Sequence, residues 1–283
     1  MKLIDGQKIA EKIKTEIATE IAAHPESRPN LAIILAGDRE DSKLYVDLKE
    51  REAKKVGIDT HLYKLTEAET EAELLEMINF LNQDTAVDGI LVQLPLPNRF
   101  DTDKIIKAVE PQKDVDGFHP EHPDYIVSPV LAAVLKCLEE IKYDLEDQPV
   151  AVLYNSDIFG ASLTAVLEKL GAKVRAVSVK DFEKMDEVAA DEKFSEVEFA
   201  TKEANVVISA LGLPKFIKKD MIREGAALID IGISKVGGKV LGDVDIEDVN
   251  DKAGYVTPVP GGIGPLTIAL LFKNVLEIFR RRT

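Results

Sequence analysis

Tyr45 and Lys49 lie four residues apart in a segment with helical spacing, so their side chains would share one face of a helix. An ammonium group held beside a phenol is suited to proton transfer on a small substrate. The alternative is a surface lysine whose aliphatic stem packs over a tyrosine ring. The spacing alone favours that alternative.

Further polar side chains occur where predicted elements end. Gln93 follows the apolar residue Val92 in a predicted buried strand, and a buried amide needs a partner. That partner could be a substrate or a lysine, or the amide could be satisfied at the strand end. Asp114 and Asp116 precede Gly117, so they either bind a heterocycle rich in N–H donors or form an Asx turn.

The histidines and the cysteine indicate neither a metal site nor a disulfide. His119 and His122 flank Pro120, which disfavours a shared helical face, and no third ligand is apparent in the sequence. Cys137 is the single cysteine, so it cannot form an internal disulfide, and this fits a reducing cytoplasm.

Two segments in the second half of the chain are typical of nucleotide or ligand binding. Residues 154–160 join a predicted strand to a helix, where a dinucleotide pyrophosphate would bind, although only Gly160 remains of the glycine-rich fingerprint. Asp181 follows 21 residues later, near the usual position of a carboxylate that binds a ribose 2′-hydroxyl, but it also begins an acidic stretch. The loop 258–265 has three glycines and three prolines, which would hold main-chain groups close to a ligand.

Alternating strands and helices must position these residues, and they predict parallel α/β sheets that bind ligands at the carboxyl ends of the strands. The predicted strands are 31–35, 61–63, 89–94, 149–153, 173–179, 205–209 and 226–230. Helices are predicted over 9–24, 42–56, 71–82, 101–109, 129–141, 163–170 and 266–282, with Ser42 and Thr70 as caps. Residues 181–203 carry nine acids against three bases and are interpreted as a solvated helical insert.

Composition excludes several classes of protein. The 283 residues include 36 Lys and Arg against 51 Asp and Glu, a formal charge of −15, which argues against binding nucleic acid. No apolar run approaches the ~20 residues of a membrane span, and the first residues do not resemble a secretory signal. We therefore expect a soluble cytoplasmic protein of about two domains, without membrane or nucleic-acid partners.

Several strings in collinear order resemble the bifunctional methylenetetrahydrofolate dehydrogenase/cyclohydrolase family, also called the FolD family. The matching strings are 45–49, 89–97, 113–120, 229–233, 242–245 and 257–267. Each string is a weak signal alone, but together they run through nearly the whole chain and are specific.

The resemblance implies an α/β protein with two lobes and a cleft between them. Residues 1–122 would form an N-terminal catalytic lobe that binds folate, completed by the C-terminal helix 264–283. Residues 123–263 would form a Rossmann-like lobe that binds NAD(P) and pairs with a second copy in a homodimer. The implied reactions belong to one-carbon metabolism and purine biosynthesis: 5,10-methylenetetrahydrofolate is oxidised to the methenyl compound, which is then hydrolysed to 10-formyltetrahydrofolate.

The resemblance also implies a role for individual residues. Lys49 would be the catalytic cation and proton-transfer group, Tyr45 would orient the folate, Gln93 would tune Lys49, and Asp116 would bind the pterin. Further residues implied to bind the folate substrate are Val92, Leu94, Pro260, Gly261 and Gly262. Residues implied to bind the dinucleotide are Tyr154, Asn155, Ser156, Gly160, Lys180, Asp181 and Ile233.

The chain departs from the family pattern on the nucleotide side. The usual Gly-Arg-Ser is Tyr154-Asn155-Ser156, and asparagine lacks the charge that binds a 2′-phosphate. Val179 replaces a serine, and Asp181 would repel a phosphate while accepting a hydrogen bond from a free ribose hydroxyl. We therefore predict that NAD is used at least as well as NADP, or that both bind poorly.

Three hypotheses follow from this mixed pattern. The first is the full bifunctional enzyme, the second a cyclohydrolase with weak or lost dehydrogenase activity, and the third a non-catalytic folate-binding protein. The presence of Tyr45, Lys49, Gln93 and Asp116 disfavours the third. The persistence of the strings 229–233 and 257–267 favours the first.

Overall fold

The computed structural model describes residues 1–66 and 68–282, apart from the side chain of residue 183. The chain divides into two compact units. The three-stranded unit comprises Ile9–Ala132 and Thr267–Thr283. The six-stranded unit comprises Met1–Lys8 and Ala133–Leu266.

The elements alternate between strand and helix along most of the chain. The strands are β1 (Lys2–Leu3), β2 (Asn30–Ala36), β3 (Asp59–Leu65), β4 (Gly89–Val92), β5 (Pro149–Tyr154), β6 (Lys173–Ser178), β7 (Val206–Ala210), β8 (Ala227–Asp230), β9 (Ser234–Val236), β10 (Lys239–Leu241) and β11 (Tyr255–Val256). The α-helices are α1 (Gly6–Ala23), α2 (Glu40–Val56), α3 (Glu71–Gln83), α4 (Thr102–Ala108), α5 (Pro129–Glu140), α6 (Asp157–Lys169), α7 (Glu187–Glu203), α8 (Ile246–Val249) and α9 (Ile263–Arg282).

The three-stranded unit is built on a parallel sheet of order β3-β2-β4. The central strand β2 is buried along nearly its whole length, as its continuous apolar run predicts. The hydrophobic core of the three-stranded unit includes side chains from β2, β4 and α3, among them Ile34, Ile78 and Ile90. The isoleucine stripe of α1 is buried, which confirms the predicted amphipathic helix.

The two predicted helix caps had different outcomes. Thr70 caps α3 in a capping box, in which its side chain accepts the main-chain N–H of Glu73 while the Glu73 carboxylate accepts the N–H of Thr70. The Ser42 prediction was wrong, because α2 begins at Glu40 and places Ser42 inside the helix. Its buried hydroxyl has no hydrogen-bond partner among the described residues.

The six-stranded unit contains a parallel sheet of order β1-β11-β8-β7-β5-β6. Strand β5 lies between β6 and β7 in the sheet. After β5 the chain forms β6 on one side of it and then β7 on the other side. The strand order therefore reverses at β5, and such a switch point is where open α/β sheets bind ligands. The two-residue strands β1 and β11 were missed in the sequence because they are too short to show a period.

Two segments of the six-stranded unit differ from the sequence prediction. Residues 181–203 were predicted to be a solvated helical insert; the helix is confirmed, but it is part of the core fold rather than an insert. They contain α7, which connects β6 to β7 and buries Val197, Ala200 and Thr201. Val197 and Ala200 belong to the core of this unit, so one face of α7 is buried while other positions of the helix carry exposed acidic residues. Helix α6 begins at Asp157 rather than near Leu163, so the turn after β5 is much shorter than expected.

No helix in the described part of the chain combines the length and apolarity needed to cross a membrane.

Candidate active site

Helix α2 carries Tyr45 and Lys49, and the lysine is tied to the end of strand β4. The Lys49 ammonium Nζ donates a hydrogen bond of 2.9 Å to Oε1 of Gln93. Burial lowers the pKa of Lys49, while the nearby charge of Asp116 acts in the opposite direction. Tyr45 is 40% exposed on the same helix, so its ring is available to a ligand. The surface-lysine alternative does not fit this half-buried, hydrogen-bonded group.

Gln93 stands directly after β4, which ends one residue earlier, at Val92. Its side chain is 8% exposed, and its amide Nε2 donates to the carbonyl of Leu94 at 2.5 Å. With the nitrogen engaged in this way, the amide oxygen is presented to Lys49. Val92 is buried and Leu94 is half-buried, so the two neighbours fix the main chain that holds this amide.

The two aspartates of the 113–120 string have different positions and partners. Asp114 is buried and accepts the main-chain N–H groups of residues 116, 117 and 118 at 3.0, 2.9 and 2.6 Å. The turn interpretation therefore fits Asp114, which also contacts Nδ1 of His119 at 2.8 Å. Asp116 is held at the end of this turn. Burial raises its pKa to about 6, Lys49 opposes that shift, and Asp114 adds to it.

Helix α9 supports the same turn from another side. The Asn274 amide nitrogen donates to the carbonyls of Val115 and Val127 at 2.9 and 3.1 Å. The N–H of Ile90 in β4 donates to the carbonyl of Lys113 at 2.8 Å. The main chain that leads to Asp116 is thus held by contacts from β4 and α9. Asn274 was missed in the sequence because nothing local marks a helical asparagine as a partner for a turn more than 150 residues earlier.

In the six-stranded unit, the turn from β5 into α6 brings together four of the residues implied to bind a dinucleotide. The Asn155 amide donates to the carbonyl of Leu211 at 2.7 Å, so it bridges the ends of β5 and β7 at the switch point. Ser156 is exposed at the N-cap of α6. A Cβ atom added to Gly160 would lie 2.5 Å from the ring of Tyr154, so this ring covers the first turn of the helix.

Lys180 and Asp181 follow β6 and have different partners. Lys180 Nζ lies 3.1 Å from Oδ2 of Asp157, the first residue of α6. Asp181 has a φ of +59° and contacts the ammonium of Lys184. That contact lowers the pKa of Asp181. Asp157 was missed as a site residue in the sequence because α6 was expected to begin later.

Two buried aspartates hold the loops at the carboxyl ends of β7 and β8. Asp243 accepts from the Ser209 hydroxyl and the N–H of Leu211, both at 2.7 Å, and from the N–H of Leu213 at 2.8 Å. Asp230 accepts three main-chain N–H groups, from residues 232, 243 and 244. Burial raises the pKa of Asp230 to about 7 despite these bonds.

The glycine-rich loop and Ile233 lie elsewhere in the six-stranded unit. Pro260 is exposed, and Gly261 has a φ of +107°, a conformation that favours glycine. The Gly261 carbonyl accepts the N–H of Gln7 at 2.9 Å. Gly6 and Gly262 are in close contact. A Cβ atom added to Gly6 would lie 1.9 Å from the carbonyl oxygen of Gly262. Ile233 follows β8 and is 45% exposed.

The two histidines of the 119–122 segment have separate environments. His119 contacts Asp114, and Nδ1 of His122 lies 3.6 Å from Asp124. Among the described residues, no three His, Cys, Asp or Glu side chains are grouped so that they could hold a metal ion.

Comparison with known proteins extends over the whole chain. The family model for the catalytic domain of tetrahydrofolate dehydrogenase/cyclohydrolase matches residues 4–116, and the model for its NAD(P)-binding domain matches residues 129–283. The bifunctional protein FolD of Sulfurihydrogenibium sp. (strain YO3AOP1) is 41% identical over 287 residues, which cover 100% of this chain and 99% of that protein.

Solved structures give the same result. The bifunctional FolD enzyme of Campylobacter jejuni is 35% identical with a TM-score of 0.90, and 100% of both chains is covered. The Trypanosoma brucei FolD, solved with NADP and an inhibitor, is 30% identical with a TM-score of 0.87, covering 99% of this chain and 97% of that one. These full-length matches show that the chain belongs to the tetrahydrofolate dehydrogenase/cyclohydrolase family.

Proposed function

We propose that this protein oxidises 5,10-methylenetetrahydrofolate to 5,10-methenyltetrahydrofolate with a nicotinamide dinucleotide, and hydrolyses the product to 10-formyltetrahydrofolate. Membership of the family supports both activities. The observation that carries the proposal is the half-buried Lys49 ammonium, bound to Gln93 and electrostatically coupled to Asp116.

Lys49 provides the proton transfer that hydrolysis requires. Water adds to the methenyl carbon and gives up one proton to the neutral amine of Lys49. The carbon–N5 bond then breaks, N5 takes that proton from Lys49, and the remaining hydroxyl proton leaves to solvent as the formyl group forms. A lysine whose pKa is lowered by burial has more of the neutral amine near neutrality, so it can perform both transfers.

Gln93 and Asp116 support Lys49 in different ways. Gln93 Oε1 accepts from Nζ and so fixes the direction of the amine. Asp116 supplies a carboxylate that accepts hydrogen bonds from the N–H donors of the pterin ring. Tyr45 is exposed on the same helix as Lys49 and packs against the folate.

The six-stranded unit suits a nicotinamide dinucleotide, which when bound accepts the hydride from the methylene carbon. The strand order reverses at β5, and Asn155 and Ser156 lie exposed at that switch point before a 13-residue helix. Main-chain N–H groups in the first turn of that helix suit the pyrophosphate. We assign contacts with the dinucleotide to Asn155, Ser156, Lys180 and Ile233, and folate contacts to the loop at 260–262.

We propose that the enzyme lacks a preference for NADP and uses NAD at least as well. The Asn155 side chain is uncharged and its amide donates to the carbonyl of Leu211. Val179 is apolar and 3% exposed, so neither residue supplies a cation for a 2′-phosphate. Lys180 is engaged by Asp157, and Asp181 adds a second carboxylate nearby.

A cyclohydrolase with weak dehydrogenase activity is the second candidate. It is favoured by the Tyr154 ring, which covers the first turn of α6 at Gly160, where a pyrophosphate would approach the main chain. Parallel dehydrogenase assays with NAD and NADP separate the two candidates. Hydrolysis without measurable oxidation in either assay would establish the second.

Substitution of Lys49 by methionine tests the main proposal. Lys49→Met removes the amine but keeps the length of the side chain, so methenyl hydrolysis should be lost while the far-ultraviolet circular dichroism is retained. Lys54→Met on the exposed side of the same helix is the control and should hydrolyse at the parent rate. Equal rates for the parent and Lys49→Met would show that the assigned role is wrong.

We further propose that the protein acts in the cytoplasm as a homodimer paired through its six-stranded unit, with no nucleic-acid partner. The buried thiol of Cys137 supports a reducing compartment, and the charge of −15 opposes binding to a phosphate backbone. The pairing is supported by strand β6, which is an edge strand of its sheet and is exposed at three of its six residues.

A further inference from the structure

Asp157 lies in the six-stranded unit at the turn where the strand order reverses. It is the first residue of α6, directly after the β5 turn, and its side chain is 62% exposed. Oδ2 lies 3.1 Å from Nζ of Lys180, and Oδ1 lies 3.4 Å from the Ser178 hydroxyl. One carboxylate therefore joins the start of α6 to the end of β6.

This placement resembles that of a bound anion. Negative charge is favourable at a helix N-terminus, where the first main-chain N–H groups lack partners within the helix. In dinucleotide-binding folds, the end of the second strand is also where the substituent on the ribose 2′ position is recognised. In this chain that strand is β6, and Lys180 follows it by two residues.

The charges around Lys180 decide what it can bind. Asp157 contacts its ammonium directly, whereas Asp181 contributes only a longer-range attraction and has Lys184 as its own partner. The Ser178 hydroxyl, which lies 3.4 Å from the Asp157 carboxylate, is neutral. A 2′-phosphate approaching Lys180 would have to displace the Asp157 carboxylate and would be repelled by it. A free 2′-hydroxyl carries no such charge.

We propose that Asp157 is the residue that sets dinucleotide selectivity, because it neutralises Lys180 and excludes a 2′-phosphate from the end of β6. The proposal rests on the proposed function, namely that the six-stranded unit binds NAD or NADP. It assigns the selectivity to Asp157, where the sequence alone pointed to Asn155, Val179 and Asp181.

Asp157→Asn tests the proposal, with equilibrium dissociation constants for NAD and NADP measured by titration calorimetry on the full-length protein. The variant should bind NADP about tenfold more tightly relative to NAD, since one charge is removed beside a dianion and Lys180 is released. The gain should shrink at high salt, because both groups are exposed and screened. Adding Lys180→Gln to Asp157→Asn should cancel most of this gain in NADP affinity relative to NAD.

Two further variants control for net charge and for the neighbouring aspartate. Glu168→Gln, exposed at the far end of the same helix, should leave the ratio of the two dissociation constants unchanged. Asp181→Asn should change it by less than about threefold, because Asp181 is bound to Lys184. An unchanged ratio in Asp157→Asn, or a larger shift in Asp181→Asn, overturns the assignment.

The outcome for the parent protein separates this inference from the proposed function. If the parent binds one of the nucleotides and Asp157→Asn has the parent ratio, only the role of Asp157 is wrong. If neither nucleotide binds to the parent or to Asp157→Asn while methenyl hydrolysis persists, the role of Asp157 and the dehydrogenase activity are both rejected.

Discussion

At the scale of single residues, Lys49 and Asp116 are the side chains to which we assign the chemistry, and burial acts on their pKa values in opposite directions. It lowers the pKa of the ammonium and raises the pKa of the carboxyl, because each charged form loses hydration. Their mutual attraction partly offsets both shifts. The pair is therefore poised nearer to neutrality than an exposed lysine and aspartate would be, which suits a group that must accept and return a proton.

Asp116→Ala should weaken folate binding by at least about tenfold, about 1.4 kcal/mol, because the pterin N–H donors lose charge-assisted bonds. The dissociation constant of the folate substrate, measured by fluorescence titration, checks this. Asp103→Ala, exposed on α4, is the control and should bind folate as the parent does. An unchanged affinity in Asp116→Ala would leave this aspartate with only a structural role.

The pKa of Asp116 also predicts a pH dependence. Folate affinity should decline as the pH falls through about 6, because the protonated carboxyl loses acceptor strength. The raised pKa of Asp116 affects the free energy of unfolding in the opposite sense to folate affinity. Since the folded-state pKa lies above the usual value of 3.8, the folded form holds its proton more tightly, and this contribution is lost as the pH rises from about 4 to about 6. An Asp116→Asn variant should lack the step in affinity near pH 6. A step of the same size in that variant would assign the titration to another group.

At the scale of elements, buried aspartates organise the loops at the carboxyl ends of strands. Asp114 holds the turn that presents Asp116, while Asp230 and Asp243 hold the loops after β7 and β8. Each accepts several main-chain N–H groups that would otherwise be buried without partners. Asp116 lies in one of these loops, and Asp114 fixes its main chain by accepting the N–H groups of residues 116–118.

Asp243→Asn should lower the free energy of unfolding by about 1–3 kcal/mol. Both carboxylate oxygens accept hydrogen bonds, so an amide NH₂ group would face a donor at one of them. Urea denaturation monitored by circular dichroism measures the change, with the exposed Asp251→Asn as the matched control. A difference below about 0.5 kcal/mol between the two variants would mean that this network contributes little.

At the scale of the whole molecule, the negative net charge opposes self-association, whereas the open sheet edge favours it. Each chain carries a formal charge of −15, so two copies repel one another at long range. The exposed edge strand β6 offers unpaired main-chain groups that a second copy can cover. Salt screens the repulsion but not the main-chain hydrogen bonds, so association should strengthen as ionic strength rises.

Light scattering at micromolar concentration and moderate salt should therefore give twice the chain mass of 31.1 kDa. Dilution at low salt should shift the mass towards the monomer. A mass of 31.1 kDa under all these conditions would count decisively against the homodimer.

Local features of this protein were determined by the sequence itself. The isoleucine stripe of α1, the buried run of β2 and the capping box at Thr70 each depend on residues close together in the sequence. The order of strings along the chain also identified the family. Such features are readable because hydrophobic periodicity and capping are short-range effects.

Tertiary structure decided which side chains and main-chain groups each candidate site residue contacts. Lys49 and Gln93 are 44 residues apart, Asn274 and Val115 are 159 apart, and Asp157 and Lys180 are 23 apart. Spacing alone made Lys49 a surface residue and left Asp114 and Asp116 indistinguishable. The two aspartates differ in burial and in the donors that the fold brings to each carboxylate, and these are set by how distant elements pack rather than by neighbouring residues.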